Sequence, residues 1–275
     1  MPAILSNSYG KTRVRLTYVD RGSVPHDLRE LSVGILLEGD FAPAYTEADN
    51  SIILPTDTMK NTVYVLARQL SWDSIEVFAQ GIARHFLDRL PRVSTVHVDI
   101  EQVPWQQIAG YNAAFTQSGN ERRTTRLKAT RSGIELSSGI TGLQLLKTAD
   151  SAFAGFLKDE FTTLGETADR LFGTVLEADW TYLKTELRFN ECHRKIRAVL
   201  LDCFARHQSL SVQHTLFAMG KAALDAHDEL AEIHLVMPNK HCLLFDLSRF
   251  GLDNPNRIFV PIDEPSGYIE ARIGR

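Results

Sequence analysis

Two stretches of this chain carry the same succession of hydrophobic periods, and that repeat narrows the possible folds more than any single motif. In the first, Val14, Leu16 and Tyr18 alternate with Arg13, Arg15 and Thr17 across Lys11–Asp20. A period of two predicts a strand with one wet face. Arg21-Gly22-Ser23-Val24-Pro25 supplies a loop, and a second strand follows near Leu28–Asp40, with Val33, Ile35, Leu36 and Leu37 at its middle. The period then changes to three and four. Thr56-Asp57-Thr58 can cap a helix over Met59–Gln69, and Asp73 or Ser74 can cap the next. In that next helix Ile75, Phe78, Ile82, Phe86 and Leu90 share a face until Pro91 stops it. Strands return at Val93–Val103 and near Arg122–Ala129.

The second stretch repeats the order. Gly133–Lys147 and Gly173–Leu187 read as strands. Residues 191–207 read as a helix with Ile196, Val199, Leu200, Cys203 and Phe204 on one stripe, and residues 211–226 as another through Val212, Leu216, Met219 and Ala223. Glu232–Met237 and Cys242–Leu247 read as strands, and an insertion after the first strand carries a short helix at Leu164–Phe172. The chain therefore reads as two tandem ββααββ domains, residues 1–133 and 134–275, divided at Arg131-Ser132-Gly133. Strands and helices segregated in this way indicate an α+β fold with antiparallel sheets. Helices can cover one sheet face only; the other face and the edges call for oligomerisation or barrel closure.

Composition removes several classes. At 44% apolar and 23% charged residues the chain is neither disordered nor of low complexity. It holds no apolar run of the ~18 residues that a membrane span needs. A net charge of −4 argues against nucleic acid or an anionic membrane as the main partner. The start, Met1-Pro2-Ala3-Ile4-Leu5-Ser6, lacks the basic and apolar regions of a secretory leader. Cys192, Cys203 and Cys242 are odd in number and form no CxxC, so they read as small buried residues of a protein kept in a reducing cytoplasm. The nine histidines form no HExxH or two-His-one-carboxylate spacing. GxGxxG, GxxxxGK[ST] and GxSxG are all missing.

Four segments are unusual for their position. Asp49–Thr62 sets the apolar run Ile52-Ile53-Leu54 directly against a helix N-terminus, which offers backbone N–H groups to an anion, although an ordinary capped helix explains the pattern as well. Pro238-Asn239-Lys240-His241 breaks two strand-like runs and reads as a turn, with Asn239 tolerating an unusual backbone angle. Arg170 lies on the short helix, where an arginine is usually a solvated charge. Phe153 stands among Ala152, Ala154 and Gly155, small neighbours that could let a ring lie exposed, although composition alone places it in the core sooner than on a ligand platform.

Together these segments resemble the urate oxidases (uricases). The resemblance starts at Tyr9-Gly10-Lys11 and passes through Leu36–Gly39, Asp49-Asn50-Ser51 and Thr56–Thr62. It continues with Gly142–Lys147, Phe153–Phe156, Asp159–Leu164, Glu166-Thr167 and Asp169-Arg170, and ends with Ser211-Val212-Gln213, Pro238–His241 and Gly274-Arg275. It implies two tunnelling-fold (T-fold) domains per chain, pairs of chains closing a sixteen-strand barrel, and a homotetramer with active sites between chains. It implies a cofactor-free oxidation, with no metal or flavin, of urate by O2 and water to 5-hydroxyisourate and hydrogen peroxide.

The resemblance also assigns roles. Arg170 grips the urate anion with a planar fork, Gln213 pairs with the opposite edge, Val212 offers its backbone N–H, and Phe153 stacks on the ring. Thr56 and Asp57 reach the substrate from the neighbouring chain, Asp57 chiefly through its backbone. Lys11, Thr56 and His241 form a proton relay, and Asn239 with Thr56 flanks the position of dioxygen above the ring. Tyr111–Phe115 departs from the family by lacking a histidine before Phe115, which is no substrate contact. The ending Ile273-Gly274-Arg275 is no Ser-Lys-Leu address, so a bacterial cytoplasmic enzyme is expected. Two other readings stay in view: a metal-dependent T-fold pterin enzyme, which would need a His/Cys cluster, and a purine-binding protein without catalysis, which would need no relay.

Overall fold

The computed structural model describes residues 3–117 and 119–275; Met1 and Pro2, which open the stretch tested for a leader, lie outside the described residues. The chain divides into two compact units. One is the chain up to Gly139 with Thr181–His193, and the other is Ile140–Trp180 with Arg194–Arg275.

The first unit holds β1 (Tyr9–Asp20), β2 (Asp27–Gly39), α1 (Ala42–Thr46), α2 (Thr56–Gln69), α3 (Ile75–Arg89), β3 (Val93–Val103), β4 (Trp105–Gln107), β5 (Phe115–Gln117), β6 (Arg122–Thr130) and the start of β7 (Ile134–Lys147). Its sheet runs β1-β2-β3-β6 with antiparallel neighbours, and β4 with β5 forms a separate hairpin. The two long helices lie on this sheet, α2 against β1 and α3 against β3 and β6. Met59 and Val63 from α2, Phe78 and Ile82 from α3, and Ile35, Leu37, Val96 and Val98 from the strands are completely buried. Each such large apolar side chain contributes about 2 kcal/mol on removal from water. Ser74, one of the two caps the sequence offers, caps α3 by accepting the Val77 N–H.

One charge is buried in this core. Glu76, on the first turn of α3, is fully inaccessible. Its carboxylate accepts bonds from Arg123 Nη2 on β6 (2.7 Å) and from the Ser138 hydroxyl on β7. The other amino group of the same guanidinium donates to Asn190 Oδ1 (2.6 Å), and the Asn190 amide donates to the Asp73 carbonyl (2.7 Å). A buried carboxylate with two donors joins three elements around one point.

The second unit takes in the rest of β7, β8 (Phe172–Tyr182), α4 (Phe189–Arg206), α5 (Val212–Ala226), β9 (Leu230–Val236), β10 (Asn239–Leu244), β11 (Phe259–Gly267) and β12 (Glu270–Gly274), with the ends of β8 and α4 assigned to the first. β9 lies between β8 and β12, and β10 pairs with β8 and β11. The expected repeat is present with one correction. Its fourth strand is β12, whereas the sequence places Cys242–Leu247 there. The residues from Cys242 onward instead end β10, half of a hairpin with β11 inserted between β9 and β12. The first unit has the same plan, with β4 and β5 inserted between β3 and β6. β12 has only Ala271 and Ile273 to mark its period, too short a signal to stand out.

Three local expectations are also corrected. No helix forms at Leu164–Phe172. There Thr167 exchanges backbone hydrogen bonds with Phe153 (2.9 and 3.0 Å), its hydroxyl donates to the Asp169 carbonyl (2.7 Å), and Asp169 Oδ1 accepts the Ser151 N–H (3.1 Å). These bonds occupy groups that a helix would need. β8 stops at Tyr182 short of Leu187: Leu176, Ala178, Trp180 and Tyr182 are its buried inward positions, and the next, Lys184, is exposed. Asn239 sits in β10 opposite Gly267 with no left-handed angle, in place of the expected turn.

Candidate active site

In the first unit, Lys11 lies on β1 opposite Ile35, at the edge of a bulge that runs to Val14. Arg13 takes the left-handed conformation there (φ 56°), a conformation that non-glycine residues adopt at a cost and that re-aims a strand locally. Gly10 is required by close approach: a Cβ on it would stand 1.8 Å from the Ile35 carbonyl oxygen. Tyr9, one residue earlier, packs edge-on against buried Phe41 (4.9 Å). Its hydroxyl accepts the Leu54 N–H at 3.0 Å. Burial raises the Tyr9 pKa, so the phenol stays protonated.

That bond fixes the segment entering α2. Thr56 and Asp57 are the first two residues of the helix, a shift from the expected cap; Pro55 holds the cap position without a side-chain bond. Thr56 is half-buried and Asp57 exposed. The N–H groups of this first turn have no partner within the helix. The Asp57 carboxylate is engaged by Lys60 and by Asn61 (3.2 Å), and the Lys60 bond holds its pKa below the usual range. The charge of Lys11 adds the smallest share to that lowering.

In the second unit, Phe153, Thr167, Arg170, Asn239, His241 and Cys242 line a cavity of about 140 Å³. Arg170 extends over the Phe153 ring, 5.3 Å from guanidinium carbon to centroid. Its Nε is buried and has no hydrogen-bond partner. Burial lowers its pKa from the ordinary arginine value, and a guanidinium nonetheless stays charged. A half-buried cationic fork with an unused donor beside an aromatic face is suited to a planar anion. Phe153 is also stacked with Phe156 (4.9 Å, 13°).

Val212 and Gln213 open α5, Val212 buried and Gln213 exposed. Ser211 caps the helix by accepting the His214 N–H (3.1 Å). The segment bearing Phe153 is tied to this helix entry, since Ala152 N–H donates to the Ser209 carbonyl (2.7 Å) and Ser209 N–H to the Asp150 carbonyl (2.9 Å). His241 pairs with Ile262 beyond a bulge that starts at Asn239.

Four of the expected residues, Phe153, Arg170, Asn239 and His241, therefore share one cavity. Val212 and Gln213 are fixed to the Phe153 segment without lining it, and Lys11, Thr56 and Asp57 belong to the first unit. Reasoning from the sequence misses Tyr9, which places Leu54, and Thr167, which frames Phe153. Both lie inside motifs that carry the resemblance, Tyr9-Gly10-Lys11 and Glu166-Thr167, and their roles are hidden there because they act through backbone groups.

The family model described as Uricase matches residues 7–128 and 136–270. A uricase of Arthrobacter globiformis is 40% identical over 269 residues, covering 98% of this chain and 89% of that protein. A uricase of Dictyostelium discoideum is 35% identical, covering 100% of this chain and 98% of that protein. The crystal structure of the Arthrobacter globiformis uricase superposes with a TM-score of 0.96 at 39% identity, over 100% of this chain and 96% of that one. The urate oxidase of Bacillus sp. TB-90, at 24% identity and a TM-score of 0.86 over 98% of this chain and 100% of that one, shares the fold.

Proposed function

The chain belongs to the uricase family, and on that premise we propose how it oxidises urate with dioxygen and water to 5-hydroxyisourate and hydrogen peroxide. The reading is carried by Arg170, a half-buried guanidinium with a buried, unpartnered Nε that stands over Phe153 at the wall of the cavity. Its charge favours deprotonated urate, and the deprotonated purine is the electron-rich form that can reduce O2. Phe153 supplies the stacking face. Gln213 and the Val212 N–H hold the edge opposite Arg170. Thr56 and the Asp57 N–H complete the grip from a neighbouring chain, where the helix dipole favours an anion. Lys11, acting through the Thr56 hydroxyl, and His241 move protons, with Asn239 and Thr56 holding the oxygen or water above the ring. The electrons come from the substrate, so the reading requires neither flavin nor metal.

In this reading residues 1–133 and 134–275 are tandem T-fold domains, and two chains close each barrel of a tetramer. Closure would cover apolar groups exposed on the single chain, among them Leu243, Phe245 and Phe250. No helix among the described residues is long and apolar enough to cross a membrane, and three free cysteines fit a cytoplasmic setting. The deciding experiment follows the loss of urate absorbance together with oxygen uptake in chelator-treated buffer. Turnover that persists supports the reading. Urate binding without turnover points to a purine-binding protein, and loss on chelation points to a metal enzyme.

A further inference from the structure

One pair of side chains in the second unit has a geometry that the oxidation does not use. His207 directly follows α4, and His214 is the third residue of α5. His207 Nε2 and His214 Nδ1 stand 3.2 Å apart, with ring centroids 4.5 Å apart and planes at 63°. We propose that His207 and His214 form a two-nitrogen chelate for a divalent transition ion of the zinc and copper class.

The spacing suits such an ion. Two imidazole nitrogens bound to zinc at about 2.0–2.1 Å with a tetrahedral angle lie roughly 3.3 Å apart. Imidazole is a ligand that zinc and copper share, and copper binds the more tightly of the two.

The turn between the two helices is already fixed. Ser209 N–H donates to the Asp150 carbonyl (2.9 Å), the Ser209 hydroxyl donates to the Ser211 carbonyl (3.2 Å), and Ser211 caps α5. Lys147, on β7, donates its ammonium to the His207 carbonyl (2.5 Å), which anchors that residue from behind. Little order therefore remains to be created on binding.

Lys147 is the charge that opposes a cation here. Cys203, one turn before His207 on α4, has its thiol pKa raised chiefly by burial and stays protonated. Among the described residues no three His, Cys, Asp or Glu side chains form a metal-holding cluster, so water would complete the coordination. The site is therefore one of modest affinity that clamps the end of α4 to the start of α5.

The test uses the assembled protein with Zn2+ titrated calorimetrically and Cu2+ followed by electron paramagnetic resonance. His207→Asn and His214→Asn each remove one nitrogen, and His97→Asn, at the His97–Glu38 pair of the first unit, serves as the control. The wild type and the control are expected to bind one equivalent per chain that both pair variants lose, with a two-nitrogen hyperfine pattern in the wild type. Retained urate turnover in the pair variants, measured without metal, shows that they are folded. An equivalent that persists in either folded pair variant, or a wild type that binds none, overturns the proposal and leaves an ordinary N–H···N hydrogen bond.

Discussion

The Leu54 N–H donates to the Tyr9 hydroxyl at 3.0 Å, and this single bond sets the entry to α2 against the strand that carries Lys11. Tyr9→Phe keeps the ring on Phe41 and removes the acceptor. An amide deprived of its partner in a part-buried place costs about 1–2 kcal/mol, so the melting temperature should fall by a few degrees. Thr56 lies two residues beyond Leu54, and a relay through its hydroxyl should suffer more than binding does. The expected outcome is a kcat loss larger than the rise in KM, with a displaced limb in the pH–rate profile. Unchanged kcat and an unchanged profile would show that Tyr9 does not position the relay.

Arg170 separates charge from shape. Arg170→Lys keeps a cation in the cavity but loses the planar fork and the contact of a flat group with Phe153. Charged hydrogen bonds contribute about 1.5–3 kcal/mol each, so KM for urate should rise by roughly ten- to a hundredfold in the lysine variant. Arg170→Ala should raise it further. Steady-state kinetics on both variants checks this, and a near-normal KM in Arg170→Ala would remove Arg170 from the site. Phe153→Ala should lower kcat/KM through loss of ring placement, measured in the same assay.

Glu76 and Arg123 form a buried pair whose parts are not independent. Glu76→Ala leaves the largely buried Arg123 guanidinium without its carboxylate, though still bonded to Asn190, and removes the acceptor of the Ser138 hydroxyl. Breaking such a pair costs about 3–5 kcal/mol, so a large drop in thermal midpoint is expected. Replacing both, as Glu76→Leu with Arg123→Met, should recover most of that loss, because neither variant side chain carries a charge to strand. Scanning calorimetry of the single and double variants makes the comparison.

The elements with strong periodicity are legible in the sequence. Ile75, Phe78, Ile82 and Phe86 define α3, and Val14, Leu16 and Tyr18 define β1, because hydrophobic burial alone decides their faces. The repeat is legible for the same reason. Its last strand is not, since β12 offers two apolar residues and depends on pairing with β9 through backbone groups. The segment around Arg170 reads as a helix in the sequence and is none, because its shape is set by bonds from Thr167 to Phe153 and from Ser151 to Asp169. Such bonds leave no hydrophobic period to read. The site residues are legible only through the family resemblance: spacing alone treats Arg170 as a surface charge and Phe153 as core, and their meeting at 5.3 Å is a tertiary fact.

Stability should depend on pH through two histidines. The pKa values of His85 and His207 are both lowered from 6.5, in each case first by burial, with Arg89 adding to it at His85 against an opposing Asp88. A depressed value means that the unfolded chain binds these protons more readily than the folded one. The contribution is therefore complete above about pH 6.5 and is lost as the pH falls through the folded values. The thermal midpoint should decline from pH 8 to pH 5, and His85→Gln with His207→Gln should flatten that decline. An identical slope in the double variant would assign the effect to other groups.

The placement of Lys11, Thr56 and Asp57 on one unit and of Arg170 and Phe153 on the other allows a direct test of a site shared between chains. Thr56→Ala disables what a chain lends to its neighbour, and Arg170→Ala disables what it keeps. Each assembly alone should turn over little urate. Unfolded, mixed in equal amounts and refolded together, the two chains should form hybrid pairs. In a two-fold pair each hybrid holds one site with both defects and one with neither. Random pairing makes about half the pairs hybrid, so roughly one quarter of all sites should be intact. Recovery of about a quarter of wild-type turnover is the expected result. If both groups came from one chain, no mixture could assemble an intact site, and the activity would stay at the sum of the two parents.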